Sequence, residues 1–264
     1  MPHPFYLIDA FADAPFSGNP AAVVLLSAPA ERRWMQAVAA EMKQAETAFV
    51  APRAPGEWDL RWFTPRAEVD LCGHATLAAA HALAEQGLAD GPVGFHTRSG
   101  RLEVRSHDGR LRMDFPATPV TLDSRPSAAL AAALGRTPVI TGRTTFDCLA
   151  ELESEADVRA LAPDLAAIAR MAERGLIATA RAEAGRPYAF VSRFFAPGLG
   201  VDEDSVTGSA HCALAPYWAE RLSRTALVGY QASARGGLVG TEVRGARVIL
   251  WGRARTVVRG TLHV

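Results

Sequence analysis

Two alanine-rich segments, each entered through a glycine and a small or polar residue, constrain this chain more than any other feature. The first is LCGHATLAAAHAL (Leu71 to Leu83), the second VTGSAHCALAPYW (Val206 to Trp218). Neither carries a charge until its last turns, at Glu85 in the first and at Glu220 and Arg221 in the second. A helix that is apolar all round is a buried one, and alanine lets strands pack close to its axis. Each segment therefore predicts a central helix wrapped in strands.

The repeat extends upstream. RWFTPRAEVDLCGHATLAAAHAL starts at Arg61 and SRFFAPGLGVDEDSVTGSAHCALAPYW at Ser192. Both read Arg, two residues with Phe second, a small residue, then Pro, acids, Gly and a small-residue helix. Pro65 precedes Gly73 by eight residues, and Pro197 precedes Gly208 by eleven. Two pseudo-symmetric halves follow, with no Gly/Ser/Pro-rich spacer between them. The boundary falls in DFPATPVTLDSRPS, giving domains 1–117 and 118–264, with the last strand free to cross back to the first.

Around those helices, strand signals dominate. FYLIDAF and PAAVVLL are β-branched and aromatic runs between turn formers. Asp108-Gly109, between RLEVR and RLRMDF, is a hairpin signal. LIATARA, PYAFVSRFF, GTEVRG and ARVILWGRARTVV read the same way. PAERRWMQAVAAEMKQ (Pro29 to Gln44) is amphipathic, with Trp34, Val38 and Met42 on one side. ADVRALAPDLAAIARMAERG reads as two short helices divided at Pro163 and ending at Gly175. RPSAALAAALGRT and RAEAGRP are read as loops.

Composition narrows the functional classes. The 264 residues carry 28 basic and 28 acidic side chains, so no electrostatic footprint points to nucleic acid or an anionic membrane. The longest apolar runs are too short to span a bilayer. MPHPFYLIDAF lacks the basic start and long apolar stretch of a signal peptide, and three widely spaced cysteines suit a reducing compartment; a cytoplasmic protein is expected. No GxGxxG after a strand, Walker loop or GxSxG elbow occurs, so nucleotide cofactors and a hydrolase triad are unsupported. His81 lies two turns from His74, roughly 10 Å along a helix, and no HxH, HExxH or CxxC pair occurs. No metal site is expected.

What remains is chemistry at helix starts. The first turn of a helix has unpaired N–H groups and a partial positive charge, and a glycine there lets a ligand approach the backbone. Gly73-His74 and Gly208-Ser209, facing one another, would suit a carboxylate; singly, each glycine equally serves a tight strand-to-helix turn. His74, at a positive helix end, is expected neutral near pH 7. Glu46, in KQAETAFV, is expected partly buried, which raises a carboxyl pKa and suits it to proton transfer; a helix-end acid bonded to backbone is the other reading. Asp204 either serves the dipole of the second helix or reaches the ligand.

The stretches DAFADAPFSGNPAAVV, AETAFV, RWFTPRAEVDLCGHATLAAAHAL and SRFFAPGLGVDEDSVTGSAHCALAPYW resemble, in order and over essentially the whole chain, the PhzF-like proteins. These are named for an isomerase of phenazine biosynthesis and share the diaminopimelate epimerase-like fold. The resemblance implies an α+β protein of two similar domains, each a mostly antiparallel β-barrel around a central helix. It implies an active site in the interdomain cleft, a homodimer, no cofactor and a small carboxylate substrate. In the phenazine enzyme that substrate is a dihydro-hydroxyanthranilate, whose ring hydrogen is shifted to give an unstable ketone. It implies that Glu46 is the catalytic acid/base, supported by His74 and Asp204. Substrate-binding positions match Gly73, Gly208, Ser209 and, in SGNP, Asn19.

Two departures matter. Related epimerases place a cysteine base at each helix start; here Cys72 matches the first, Val206 replaces the second, and Cys212 lies a turn too deep. Cys72 is expected to be a small buried residue. The phenazine enzyme also has Ala before its Gly-His and Pro after it, where this chain has Cys72 and Ala75, so the same substrate is not assumed. An epimerase or racemase of the same fold, and a small-molecule binding protein without chemistry, are the alternatives.

Overall fold

The computed structural model describes residues 2–171 and 174–264. The chain forms two compact units, Met1–Asp114 with Trp251–Val264, and Phe115–Leu250.

The first unit opens with β1 (His3–Ala10) and β2 (Asn19–Leu25), which pair antiparallel. The helix α1 (Arg32–Met42) then leads to β3 (Glu46–Ala54), which lies parallel to β2. A parallel pair needs a crossover, and α1 provides it: Met35, Val38 and Ala39 are buried on a cluster with Phe49 and Phe63. β4 (Glu57–Phe63) runs antiparallel to β3 and to the short β5 (Glu68–Val69). The second crossover is α2 (Gly73–Glu85), which carries the chain to β6 (Val93–Thr97), parallel to β4. The alanine-rich helix buries residues from His74 to Leu83, with His81 alone part-exposed, and packs on β1, β2 and β3. β7 (Gly100–His107) and β8 (Arg110–Pro116) close a hairpin. Asp108 and Gly109 both have positive φ, 51° and 68°, the backbone that a two-residue turn of the strands' own twist requires.

The second unit repeats this order of pairing. After β9 (Thr121–Leu122) and α3 (Ala128–Leu134), β10 (Ile140–Arg143) pairs antiparallel with β11 (Asp147–Glu151). A crossover through α4 (Glu155–Arg159) and α5 (Leu165–Met171) reaches β12 (Gly175–Arg181), parallel to β11. β13 (Phe190–Ala196) runs antiparallel to β12 and to β14 (Val201–Asp204). The alanine-rich α6 (Gly208–Leu222) crosses to β15 (Ala226–Gln231), parallel to β13, and β16 (Gly237–Arg244) pairs back on β15. The order strand, strand, crossover, strand, strand, short strand, alanine helix, strand is thus common to both units. The core here gathers Leu149, Ile177, Phe190 and Phe194 against Leu214 and Trp218 of α6. After β17 (Arg247–Gly252), β18 (Ala254–Leu262) returns to the first unit and pairs antiparallel with β1.

The segment read as a loop at RPSAALAAALGRT contains α3. Ser127 Oγ accepts the Leu130 N–H at 3.3 Å, Gly135 ends the helix in the left-handed conformation, and Leu130 and Leu134 are buried one turn apart. Seven residues give too short a period to see in an alanine run. The expected helix end at Gly175 falls beyond residues 172–173, which lie outside the described residues; Gly175 opens β12. Among the described residues no helix is long and apolar enough to cross a membrane.

Candidate active site

Parallel strands start at the same edge of a sheet, and this places the first group of candidate residues. β2 and β3 are parallel, with Ala21 opposite Glu46. Asn19 and Glu46 are the first residues of those strands, and Gly73 and His74 the first of α2. Gly18, just before Asn19, has φ 68°, and a Cβ there would meet the Ala10 carbonyl oxygen at 2.2 Å. Only glycine lets the chain enter β2 along this path, which aims Asn19 inward.

Asn19 and His74 are buried, and Glu46 keeps 21% of its side chain exposed. The Asn19 amide nitrogen lies 3.2 Å from His74 Nδ1. That nitrogen can only donate, so Nδ1 accepts and Nε2 carries the ring proton. His74 Nε2 lies 3.2 Å from Glu46 Oε2 and donates to it. Burial pulls the His74 pKa down to about 4, so the imidazole is neutral at pH 7. The sequence reading reached the same protonation state by another route, the helix dipole. A neutral donor on one carboxylate oxygen orients Glu46 without fixing its proton.

Cys72 joins this group. Its Sγ lies 3.6 Å from His74 Nδ1 and 4.0 Å from Nε2. The contact was not legible from spacing because Cys72 is the extended N-cap (φ −147°) and His74 is already helical. Residues two apart diverge within a helix, yet converge across such a bend. Cys72 is buried as expected, but it touches the imidazole directly.

In the second unit, Asp204 ends β14, and Gly208 and Ser209 open α6. Thr207 Oγ1 donates to Asp204 Oδ2 at 2.6 Å. The residue that organises this helix start is Gln231, fully buried at the end of β15. Its Oε1 accepts the Thr207 N–H at 2.8 Å, and its Nε2 donates to the Asp204 carbonyl at 2.8 Å. Nothing near Gln231 in the sequence marks it, because the contact spans 24 residues and depends on β15 lying beside β13. Replacing Gln231 with Leu leaves the Thr207 N–H and the Asp204 carbonyl without that partner, at about 1–3 kcal/mol for each group left unsatisfied. A loss of unfolding free energy of that size, read by urea titration, is expected.

Neither Cys72 nor Thr207 gives its helix a side-chain cap. The two units differ at the strand start that holds Glu46. Where Glu46 stands opposite Ala21, Gly175 stands opposite Asp147, and Asp147 accepts Arg174 Nε at 2.8 Å. The pairing order repeats, but the acid does not. Burial also pushes the Cys212 thiol up to about 12, so it is no thiolate at neutral pH. A cavity of about 360 Å³ in this unit is lined by Arg181, Glu183, Tyr188 and Arg224 among others, and by none of the candidate residues.

The start of α2 thus gathers a part-exposed carboxylate, a buried neutral imidazole and a thiol. A predicted epimerase of Pseudomonas aeruginosa superposes with a TM-score of 0.75 at 23% identity, over 99% of each chain, a likeness of fold. A phenazine biosynthesis PhzF family protein of Enterococcus faecalis superposes with a TM-score of 0.95 at 38% identity, over the whole of both chains. A protein of P. aeruginosa described as an uncharacterized isomerase is 50% identical over 264 residues, 98% of each chain. Residues 8–260 match the phenazine biosynthesis-like protein family as a whole. The chain belongs to that family.

Proposed function

We propose that the protein is an isomerase that moves a proton on a small carboxylate, without a cofactor, using Glu46 as both base and acid. The observation that carries this reading is the Asn19–His74–Glu46 chain of contacts, which ends on a part-exposed carboxylate. Glu46 takes a proton from a carbon activated by the substrate's own unsaturation and returns it at another carbon. His74, held neutral, keeps the carboxylate turned toward the substrate. The Gly73 N–H, at the start of α2, binds the substrate's anionic group. Asp204, Gly208 and Ser209 are the further substrate positions that the family resemblance implies. The isomerase description of the P. aeruginosa relative supports the reaction class. The difference at Gly175 supports a single acid/base rather than two opposed ones.

The test is incubation with dihydro-hydroxyanthranilate, followed by nuclear magnetic resonance in deuterated water. A shifted ring hydrogen, lost in Glu46→Gln, is the expected result. No change in the compound by the wild-type protein removes that substrate, and mass spectrometry of the small acids that copurify names the next. One contact favours a second reading, an epimerase in which Cys72 serves as a base: its sulfur lies 3.6 Å from His74. Only that version loses all activity in Cys72→Ala, which removes the thiol without filling the site.

A further inference from the structure

We propose that Glu46, Cys72 and His74 form a binding site for one borderline-soft divalent cation of the zinc type, and that the ion switches the protein off. One oxygen, one sulfur and one nitrogen of these residues all lie within 4.8 Å of one another. Zinc takes sulfur at about 2.3 Å and nitrogen or oxygen at about 2.0–2.2 Å in a tetrahedron. Two donors on such an ion then stand about 3.3–3.6 Å apart. His74 Nε2 is 3.2 Å from Glu46 Oε2, already close to that length, and 4.0 Å from Cys72 Sγ, which lies nearer Nδ1 at 3.6 Å. A rotation of the Cys72 side chain that carries its sulfur toward Nε2 closes the triangle and leaves a fourth position open to water.

The donor set selects the ion. Thiolate with imidazole favours zinc, cobalt or cadmium over magnesium or calcium, which prefer oxygen alone. Thiolate and carboxylate together carry two negative charges, which offset the positive end of α2 that would otherwise repel a cation. Binding releases the Cys72 thiol proton to solvent. His74 stays neutral, its proton moving through solvent from Nε2 to Nδ1 so that Nε2 can ligate. Asn19 then turns its amide over and accepts the Nδ1–H through its oxygen. Such a carbonyl behind a ligating histidine is the usual support of a zinc site. An asparagine serves both tautomers, which an aspartate or a leucine at position 19 would not.

Binding stands on the geometry alone, whereas inhibition rests on the proton-transfer reading, because the ion occupies the carboxylate that reading needs. The test is titration of reduced, chelator-stripped protein with Co²⁺. One ion per chain is expected, with the near-ultraviolet absorption of a cobalt–thiolate bond and the strong visible bands of four-coordination. Cys72→Ala loses the ultraviolet band, and Asn19→Ala binds about 10–100-fold more weakly. Zinc-edge X-ray absorption of the wild-type protein, which needs no variant, shows one sulfur at about 2.3 Å with nitrogen and oxygen at about 2.0–2.2 Å. No binding, a shell without sulfur, or a thiolate band that survives in Cys72→Ala overturns the proposal, the last by assigning the ion to Cys148 or Cys212. If Zn²⁺ binds through Cys72 while turnover continues, the metal site stands and Glu46 is not the base.

Discussion

Glu46→Gln is expected to lose about 10²–10⁴ of turnover, the usual share of a positioned general base, while folding as the wild type does. Folding survives because the side chain sits at the first residue of β3 with a fifth of its surface in solvent. Glutamine also keeps a carbonyl oxygen to accept the His74 Nε2–H, so no buried donor is orphaned. Activity fails because an amide neither takes nor returns a proton. Glu46→Asp keeps the proton chemistry but withdraws the carboxylate by one methylene, and a misplacement of about 1 Å can cost on the order of 10²-fold. The expected ranking of kcat is wild type, then Asp, then Gln, with thermal midpoints alike. A Gln variant with wild-type kcat would remove Glu46 from the mechanism.

The second large effect is on acid stability. His74 and His211 are both buried, and burial lowers each pKa to about 4 from an ordinary 6.5. His211 Nδ1 donates to the Thr207 carbonyl at 2.8 Å, and no hydrogen-bond partner faces its Nε2 among the described residues. The direction follows from proton counting. Between pH 6.5 and 4 the unfolded chain protonates both imidazoles and the folded chain does not. The unfolded state therefore binds more protons, and stability falls as pH falls. Full stability is present above pH 6.5, and each histidine accounts for a loss of about 3 kcal/mol by pH 4. Two such losses approach the whole stability of an ordinary domain, about 5–15 kcal/mol. Carboxylates such as Glu68, held below the usual range by its Arg61 hydrogen bonds, act lower, as pH falls past 4.5. Urea midpoints measured from pH 7 to 4.5 should fall steadily and should fall less steeply in His211→Asn. A flat profile over that window would mean that these imidazoles are not buried neutral.

Much of the architecture was legible because its signals are local or repeated. Asp108-Gly109 prescribes a turn, and the alanine-rich bodies of α2 and α6 are apolar enough on every face to be buried in their units. The site was legible through its resemblance more than through its physics. Glu46 has no sequence neighbour that betrays it; it matters because β2 and β3 are parallel and start at one edge. Asn19 gained its role from His74, 55 residues away. Gln231 could not be found at all, since its two partners lie on the far side of a crossover helix. Short alanine runs such as α3 carry too little contrast for periodicity to show.

The claim that everything else serves is that a carboxylate substrate lies against the start of α2 with one of its carbons within reach of Glu46. A crystal structure with bound hydroxyanthranilate, the non-reactive aromatic counterpart of the dihydro compound, tests it directly. The expected result is the ligand carboxylate on the backbone N–H groups at the start of α2, beside Gly73, and a ring carbon about 3–3.5 Å from a Glu46 oxygen. A ligand bound away from the start of α2, or one whose ring lies beyond the reach of Glu46, would contradict that claim.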